Sequence, residues 1–286
     1  MYSNFSELLE LCHEKSAPIS LIVLENEIKT FERTREQVLD GLRKMYAVMG
    51  AAAEKALNKP LTAGFSLISG VAMHQNQHAH SGRTICGGVI NKIMARALSC
   101  SETNAAMGKI CAAPTAGACG ILPAVIITLS EQTGCSQEDT LMALLTASGV
   151  GAVIIKNATV SGAEGGCQAE CGVAAAMAAA GAVELYGGSP EQALDAAALA
   201  LENVMGLICD PVAGLVQVPC AARNASQALN ALASADLALG GMRSLIPLDE
   251  VVEAMHKVGR QLPMQLKETA LGGIAATPTG KSIKIK

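Results

Sequence analysis

Apolar residues recur at three- and four-residue steps through residues 25–49, at Ile28, Phe31, Val38, Leu42, Met45 and Met49. That period belongs to one face of an α-helix. It predicts one long helix whose Glu32, Arg35, Glu36 and Arg43 form a solvated face. The same pattern predicts helices over residues 138–154, 171–186, 190–205, 222–239 and 247–258. Gly187-Gly188 and Gly240-Gly241 supply stop signals after two of them. Ser189 reads as an N-cap, with Pro190 at the first helical position. Asp249 and Glu250 stand in a first turn, where negative charge suits the helix dipole. β-branched runs are short and Ala is everywhere, which favours helix over strand. The pattern predicts an all-α fold in a single domain.

Composition changes this picture in one respect, the size of the core side chains. Half of the 286 residues are hydrophobic, yet only 2% are aromatic and Trp is absent. There are 49 Ala, 28 Gly, 12 Met and 10 Cys. Helices built this way can approach closely around buried loops. A charged content of 16% with so many apolar residues excludes intrinsic disorder. A net charge of −4, no basic stripe and almost no aromatic side chains argue against nucleic-acid binding. Residues 1–59 hold 17 charged side chains and read as an ordinary helical N-terminal part. Residues 60–248 hold only 19 and form an apolar core, and residues 249–286 hold 10 on a C-terminal helix and tail. The polar tail, 277–286, is expected to be mobile or held by a partner.

A mean hydropathy of +0.35 raises the question of a membrane. A spanning helix needs about 20 apolar residues. Runs 141–155 and 172–183 are short, and run 110–129 is broken by Pro114, Gly117, Gly120 and Pro123. They read as buried helices and loops. No signal-peptide pattern opens the chain, so the expected location is the cytoplasm. Cysteines there are thiols or metal ligands rather than disulfides.

Four segments interrupt the helical pattern and concentrate reactive residues. Segment 73–82 holds His74, Asn76, His78 and His80. It reads as a polar surface turn, a metal site if a further ligand joins, or an acid–base site needing one His. Segment 109–120 starts at Lys109 and carries Thr115, Ala116 and Gly117. There, free backbone N–H groups could meet a carboxylate, although the segment could equally be a plain connection. Segment 156–171 places Lys156, Glu164, Glu170, Cys167 and Cys171 in apolar surroundings, where charge is costly unless paired or functional. Segment 209–224 puts Cys209 and Cys220 around a Pro- and Gly-containing loop. Cys12, Cys86, Cys100 and Cys135 have no such setting and read as small hydrophobes or incidental thiols. Cys167, Cys171, Cys209 and Cys220 sit beside helix starts, which favour thiolates. No C-x-x-C pair supports a zinc ribbon. The wide spacing suits either an iron–sulfur cluster held across three segments or plain core packing.

The runs SGVAMHQNQHAHSGRTICGG, KICAAPTAGACGILPA, SGAEGGCQAECGVAAAM and CDPVAGLVQVPCAARNA occur in that order. Together they closely resemble the α subunit of iron–sulfur-dependent bacterial L-serine dehydratases, over nearly the whole chain. The resemblance implies a carbon–nitrogen lyase that holds a [4Fe–4S] cluster through three cysteines, matching Cys167, Cys209 and Cys220, while Cys171 matches no ligand. It implies elimination of water from L-serine to give pyruvate and ammonia. One iron without a thiolate would act as Lewis acid toward the serine hydroxyl. The base stays open among His74, His78, Lys109 and Lys156, and substrate contacts are expected from Asn76, Thr115, Ala116 and Gly117. The family's β part carries a Ser-Ser-His-Thr stretch absent from this sequence, which implies a separate β subunit as partner. Some members end in an inhibitory Cys. No Cys follows Cys220 here, so that device is not expected. Alternatives are cysteine desulfidation on the same scaffold and a non-catalytic cluster-bearing subunit. A pyridoxal phosphate enzyme is disfavoured by the helical pattern, for Lys156 with Gly162 and Gly165-Gly166 only weakly imitates its site.

Overall fold

Every regular element in the computed structural model, which describes residues 1–62 and 65–283, is helical. The α-helices run α1 (Phe5–Lys15), α2 (Ile19–Phe31), α3 (Arg35–Lys55), α4 (Val71–Ala79), α5 (Gly87–Ala105), α6 (Ile121–Thr133) and α7 (Gln137–Asn157). They continue through α8 (Gly162–Gly165), α9 (Val173–Leu185), α10 (Pro190–Glu202), α11 (Cys220–Leu239), α12 (Leu248–Gln261) and α13 (Pro278–Ser282). A π-helical turn, Gln168–Gly172, leads into α9. Among the described residues there is no strand, only an isolated parallel bridge between Cys209 and Lys267.

The centre of the molecule is α9. From Val173 to Val183 every residue is buried, and the helix is wrapped by α6, α7, α10 and α11. Small side chains make this possible. A Cβ at Gly181 would lie 2.9 Å from the carbonyl oxygen of Ala143, so α7 and α9 cross with almost nothing between them. Dense packing of short side chains replaces the aromatic core the sequence lacks. One described helix, α7, is long and apolar enough to cross a membrane, and two thirds of its apolar window is buried inside the protein.

Helix ends follow the sequence signals closely. Ser189 caps α10 through a capping box with Gln192, and Pro190 takes the first position. Gly187, at φ +75°, ends the turn after α9. Asp249 sits in the first turn of α12, and it also accepts hydrogen bonds from the N–H groups of Phe5 (2.9 Å) and Ser6 (3.0 Å), capping α1.

Three expectations change. The helix predicted over residues 25–49 is two helices. Glu32, at φ +51°, closes α2, and Thr34 opens α3 in a capping box with Gln37. Segment 73–82 is mostly helix rather than a turn. Gly70, at φ +88°, starts α4, and the buried Glu102 carboxylate receives the N–H groups of Gly70 (2.9 Å) and Ala72 (2.7 Å). The tail is placed from Thr277 to Ile283. Thr277 caps α13, and Gly280 packs against the carbonyls of Ile274 and Ala275. Residues 284–286 lie outside the described residues.

Candidate functional site

Segments 109–120, 156–171 and 209–224 meet. Asn224, on α11, is the stitch between two of them. Its side-chain amide donates to the carbonyls of Gly117 (2.6 Å) and Cys220 (2.9 Å), and its Oδ1 accepts the Gly120 N–H (2.8 Å). Gln168 joins the third. Its Nε2 donates to Gly165 O (2.9 Å) and Met255 O (3.0 Å), and its Oε1 accepts the Gly206 N–H (2.8 Å) just ahead of Cys209. Both side chains are buried with their hydrogen bonds made, so they fix the loops at little desolvation cost.

Cys209 is held by the main chain from both sides. Its N–H donates to Leu266 O (2.9 Å), and its carbonyl accepts the Glu268 N–H (2.8 Å). The segment 264–276 thus lies over the cysteine loop as a strap. Asp210, buried, fastens the strap further on, accepting the Ile274 N–H (2.8 Å) on one oxygen and Arg223 Nη2 (2.8 Å) on the other. Arg223 also donates to Ile208 O at 2.8 Å.

The three cysteines sit close enough to govern one another's ionisation. Hydrogen bonding from Cys171 holds the Cys167 thiol below the ordinary range, and the charge of Arg223 adds to this. Burial raises Cys209, and the charge of Cys167 raises it further. Burial pushes Cys220 up to about 12, again with help from Cys167. Of the four cysteines beside helix starts, only Cys167 is shifted toward the thiolate, while Cys171, Cys209 and Cys220 are shifted away from it. Cys171, which the resemblance gave no ligand role, is buried and acts on Cys167 by hydrogen bonding.

Glu170 is the residue that sequence reading did not single out as a site. Its carboxylate faces the cysteines from the π-helical turn, receives the Thr115 hydroxyl at 2.6 Å, and has its pKa raised by burial and by nearby Glu268. Glycines clear the space around it. A Cβ at Gly117 would lie 2.5 Å from Glu170 Oε1. A Cβ at Gly162 would meet Cys209 Sγ at 3.0 Å, Glu170 Oε2 at 3.2 Å and Glu268 Oε2 at 3.3 Å. The result is a cradle of sulfur and carboxylate that any larger residue at position 162 would fill. The available signal was a charge in an otherwise apolar stretch.

Among the described residues, no three His, Cys, Asp or Glu side chains converge as ligands of a single metal ion. An iron–sulfur cluster takes its thiolates on different irons, so its cysteines need not meet at one point. Three mutually interacting thiols, one with its ionisation eased, beside a glycine-cleared cradle fit such a group.

The other expected site residues are placed as follows. Thr115, Ala116 and Gly117 border the cradle. The N–H groups of Ala116 and Gly117 have no hydrogen-bond partner among the described residues. Asn76, on α4, donates to Leu57 O at 3.1 Å. His74 and His78 are exposed on α4, and Lys109 is exposed. The segment before α4 is tied to the cysteine loop by Gln217, which accepts the Leu67 N–H at 2.6 Å and donates to Phe65 O at 3.2 Å. Lys156 is exposed and donates to Ser3 Oγ at 2.8 Å, which engages it with the N-terminal segment.

The fold and site define a helical protein that gathers three cysteine-bearing loops beside a carboxylate in a small-residue cradle. Residues 14–275 match the family described as serine dehydratase alpha chain, and the chain belongs to that family. It is 48% identical to the L-serine dehydratase, alpha chain, of Peptoniphilus asaccharolyticus, over 99% of this chain and 97% of that one. It is 37% identical to L-serine dehydratase TdcG of Escherichia coli (strain K12), over 96% of this chain but 61% of that protein. It is 36% identical to an L-serine dehydratase of Streptomyces coelicolor, over 94% of this chain and 59% of that protein.

Proposed function

We propose that this chain is the α subunit of an L-serine dehydratase, eliminating water from L-serine to give pyruvate and ammonia. The carrying observation is the cradle at Gly162, where Cys209 Sγ and the Glu170 carboxylate face one space, with Cys167 and Cys220 near enough to Cys209 to shift its ionisation. Those three thiolates would hold a [4Fe–4S] cluster, and Arg223 and Cys171 stabilise the first of them. When bound, such a cluster supplies a Lewis-acidic iron with a free coordination position for the serine hydroxyl.

The chain's own residues do the rest of the work assigned here. The unpartnered N–H groups of Ala116 and Gly117 receive the serine carboxylate, as backbone donors do in anion-binding turns. Glu170, with a raised pKa, takes the Cα proton. Thr115 orients that carboxylate through its hydroxyl. The hydroxide lost from Cβ leaves an enamine, which tautomerises and hydrolyses to pyruvate and ammonia. His74, His78 and Lys109 remain solvent-facing groups that a partner can bring into play, whereas Lys156 is committed to Ser3.

The words "alpha chain" in the name of the relative from Peptoniphilus asaccharolyticus, matched over 97% of its length, support a separate partner subunit. The test is anaerobic reconstitution with iron and sulfide, followed by pyruvate assay on L-serine and L-cysteine, with and without a β chain. Turnover of L-serine that requires both cluster and β chain is expected. Full activity without β would sink the two-chain reading. Sulfide release from L-cysteine exceeding pyruvate release from L-serine would overturn the substrate.

A further inference from the structure

Behind the strap lies a second cavity, about 610 Å³, which the cysteine site does not use. Its walls come from α8, α12 and the strap. Arg260 and His256 project from α12, Lys267 from the strap and Glu164 from α8. No Arg260, Lys267 or His256 ion pair with a carboxylate is formed among the described residues, and Lys267 Nζ reaches only the Arg260 carbonyl at 3.5 Å. His256 Nδ1 is sealed from solvent with no hydrogen-bond partner. The one acid in the cavity, Glu164, accepts the Thr159 hydroxyl at 2.6 Å. Two unpaired cations and an unsatisfied imidazole therefore share one concavity in a protein whose net charge is −4. Like charges held together at a concave surface destabilise the fold unless a counter-charge joins them.

We propose that this cavity is a binding site for a small dianion, a phosphate or dicarboxylate head carried on a modest organic body. Arg260 offers a planar fork suited to an oxyanion, and Lys267 a point charge beside it. The volume exceeds what a bare inorganic ion needs, which leaves room for the body. The site adjoins the cysteine cradle through shared elements. Lys267 lines the cavity while its neighbour Glu268 faces the cradle, and the bridge at Cys209 joins the two. On α8, Glu164 lines the cavity and Gly162 edges the cradle. Gly259 of α12 packs directly on Gly165, with a Cβ there only 2.7 Å from the Gly165 Cα, so the cavity wall and α8 form one contact.

The experiment is isothermal titration of inorganic phosphate, and separately malonate, into the full chain at ionic strength held constant with chloride. One saturable site is expected. Arg260→Gln combined with Lys267→Gln should weaken it at least about tenfold, the loss of one charge-assisted contact. Lys257→Gln, on the same helix but paired with Glu253, should leave it unchanged. Circular dichroism of each variant confirms retained helix. Tighter binding of malonate assigns a carboxylate ligand, and tighter phosphate a phosphoryl ligand; either supports the site. No saturable heat, or equal heats in the Arg260/Lys267 variant and the parent, overturns it. So does a variant that loses only association with a β chain, which would make the cavity a docking surface. Because binding is read without turnover, the outcome stands apart from the serine reaction.

Discussion

Thr115 Oγ1 donates a 2.6 Å hydrogen bond to Glu170 Oε1 across 55 residues of sequence. The pair joins the loop that offers free N–H groups to the turn that carries Cys167. It also sets two opposing influences on one carboxyl: burial raises its pKa and the hydroxyl lowers it. Glu170→Gln is expected to cut turnover by about 10²- to 10⁴-fold, the usual worth of a positioned base, with iron content unchanged. Thr115→Val should cost about tenfold, near the roughly 1.5 kcal/mol of one hydrogen bond to a charged group. Steady-state pyruvate assays beside iron analysis separate these effects. A fully active Glu170→Gln enzyme removes Glu170 from the reaction.

Gly162→Ala tests the cradle. The residue opens α8 with ordinary helical backbone, so alanine is tolerated locally and favoured by propensity. Its Cβ would stand 3.0 Å from Cys209 Sγ. Helix content and thermal stability should be close to the parent, while reconstituted iron falls by more than half. Equal iron loading would show that the cradle has slack.

The cysteines should divide on iron analysis. Cys167→Ser, Cys209→Ser and Cys220→Ser are each expected to lose the cluster. Cys135→Ser should keep it. Cys171→Ala should keep iron but hold it more weakly, since Cys171 helps Cys167 ionise. Complete loss in Cys171→Ala would add it to the ligand set.

Arg96 offers a stability test away from the site. Its buried guanidinium binds Glu54, Glu131 and the Thr128 hydroxyl. Hydrogen bonding from Arg96 holds Glu131 down at about 2, against an ordinary 4.5. A carboxyl with a depressed folded pKa contributes stability that is complete above its unfolded value and is lost as pH falls toward the folded one. Arg96→Met should therefore cost about 1–2 kcal/mol at neutral pH, discounted because both carboxylates stay half-exposed. The gap in melting temperature between parent and variant should narrow from pH 5 to pH 3. A constant gap would show that packing, not charge, makes the difference.

The helices were legible where their signals are local. Ser189-Pro190 and Gly187 act within a few residues, and their caps formed as the pattern implied. The break at Glu32 carried a readable Thr34–Gln37 capping box, but the apolar period runs on across it and masks it. The π-helical turn after Cys167 has no residue signature, because a shift in hydrogen-bond register changes no composition. Glu170 showed only as an odd charge, since the Thr115 and Gly117 that define its surroundings are remote in sequence. The tail read as free because it is polar. What holds it is the Thr277 cap and the packing of Gly280 on the carbonyls of Ile274 and Ala275, while the strap before it is fixed by Cys209's main chain and Asp210's carboxylate.

That pairing also dictates an order of events during synthesis. Cys167 and the helix start at Cys220 can be set as soon as their own segments and the loop around Thr115 emerge from the ribosome. Cys209 takes both of its main-chain partners from Leu266 and Glu268, and its neighbour Asp210 takes one from Ile274. The third thiol is thus positioned only after residues 266–274 have been made. If the three cysteines hold the proposed cluster, loading all three would follow completion of the strap, which would then separate an unfinished chain from one ready to be loaded.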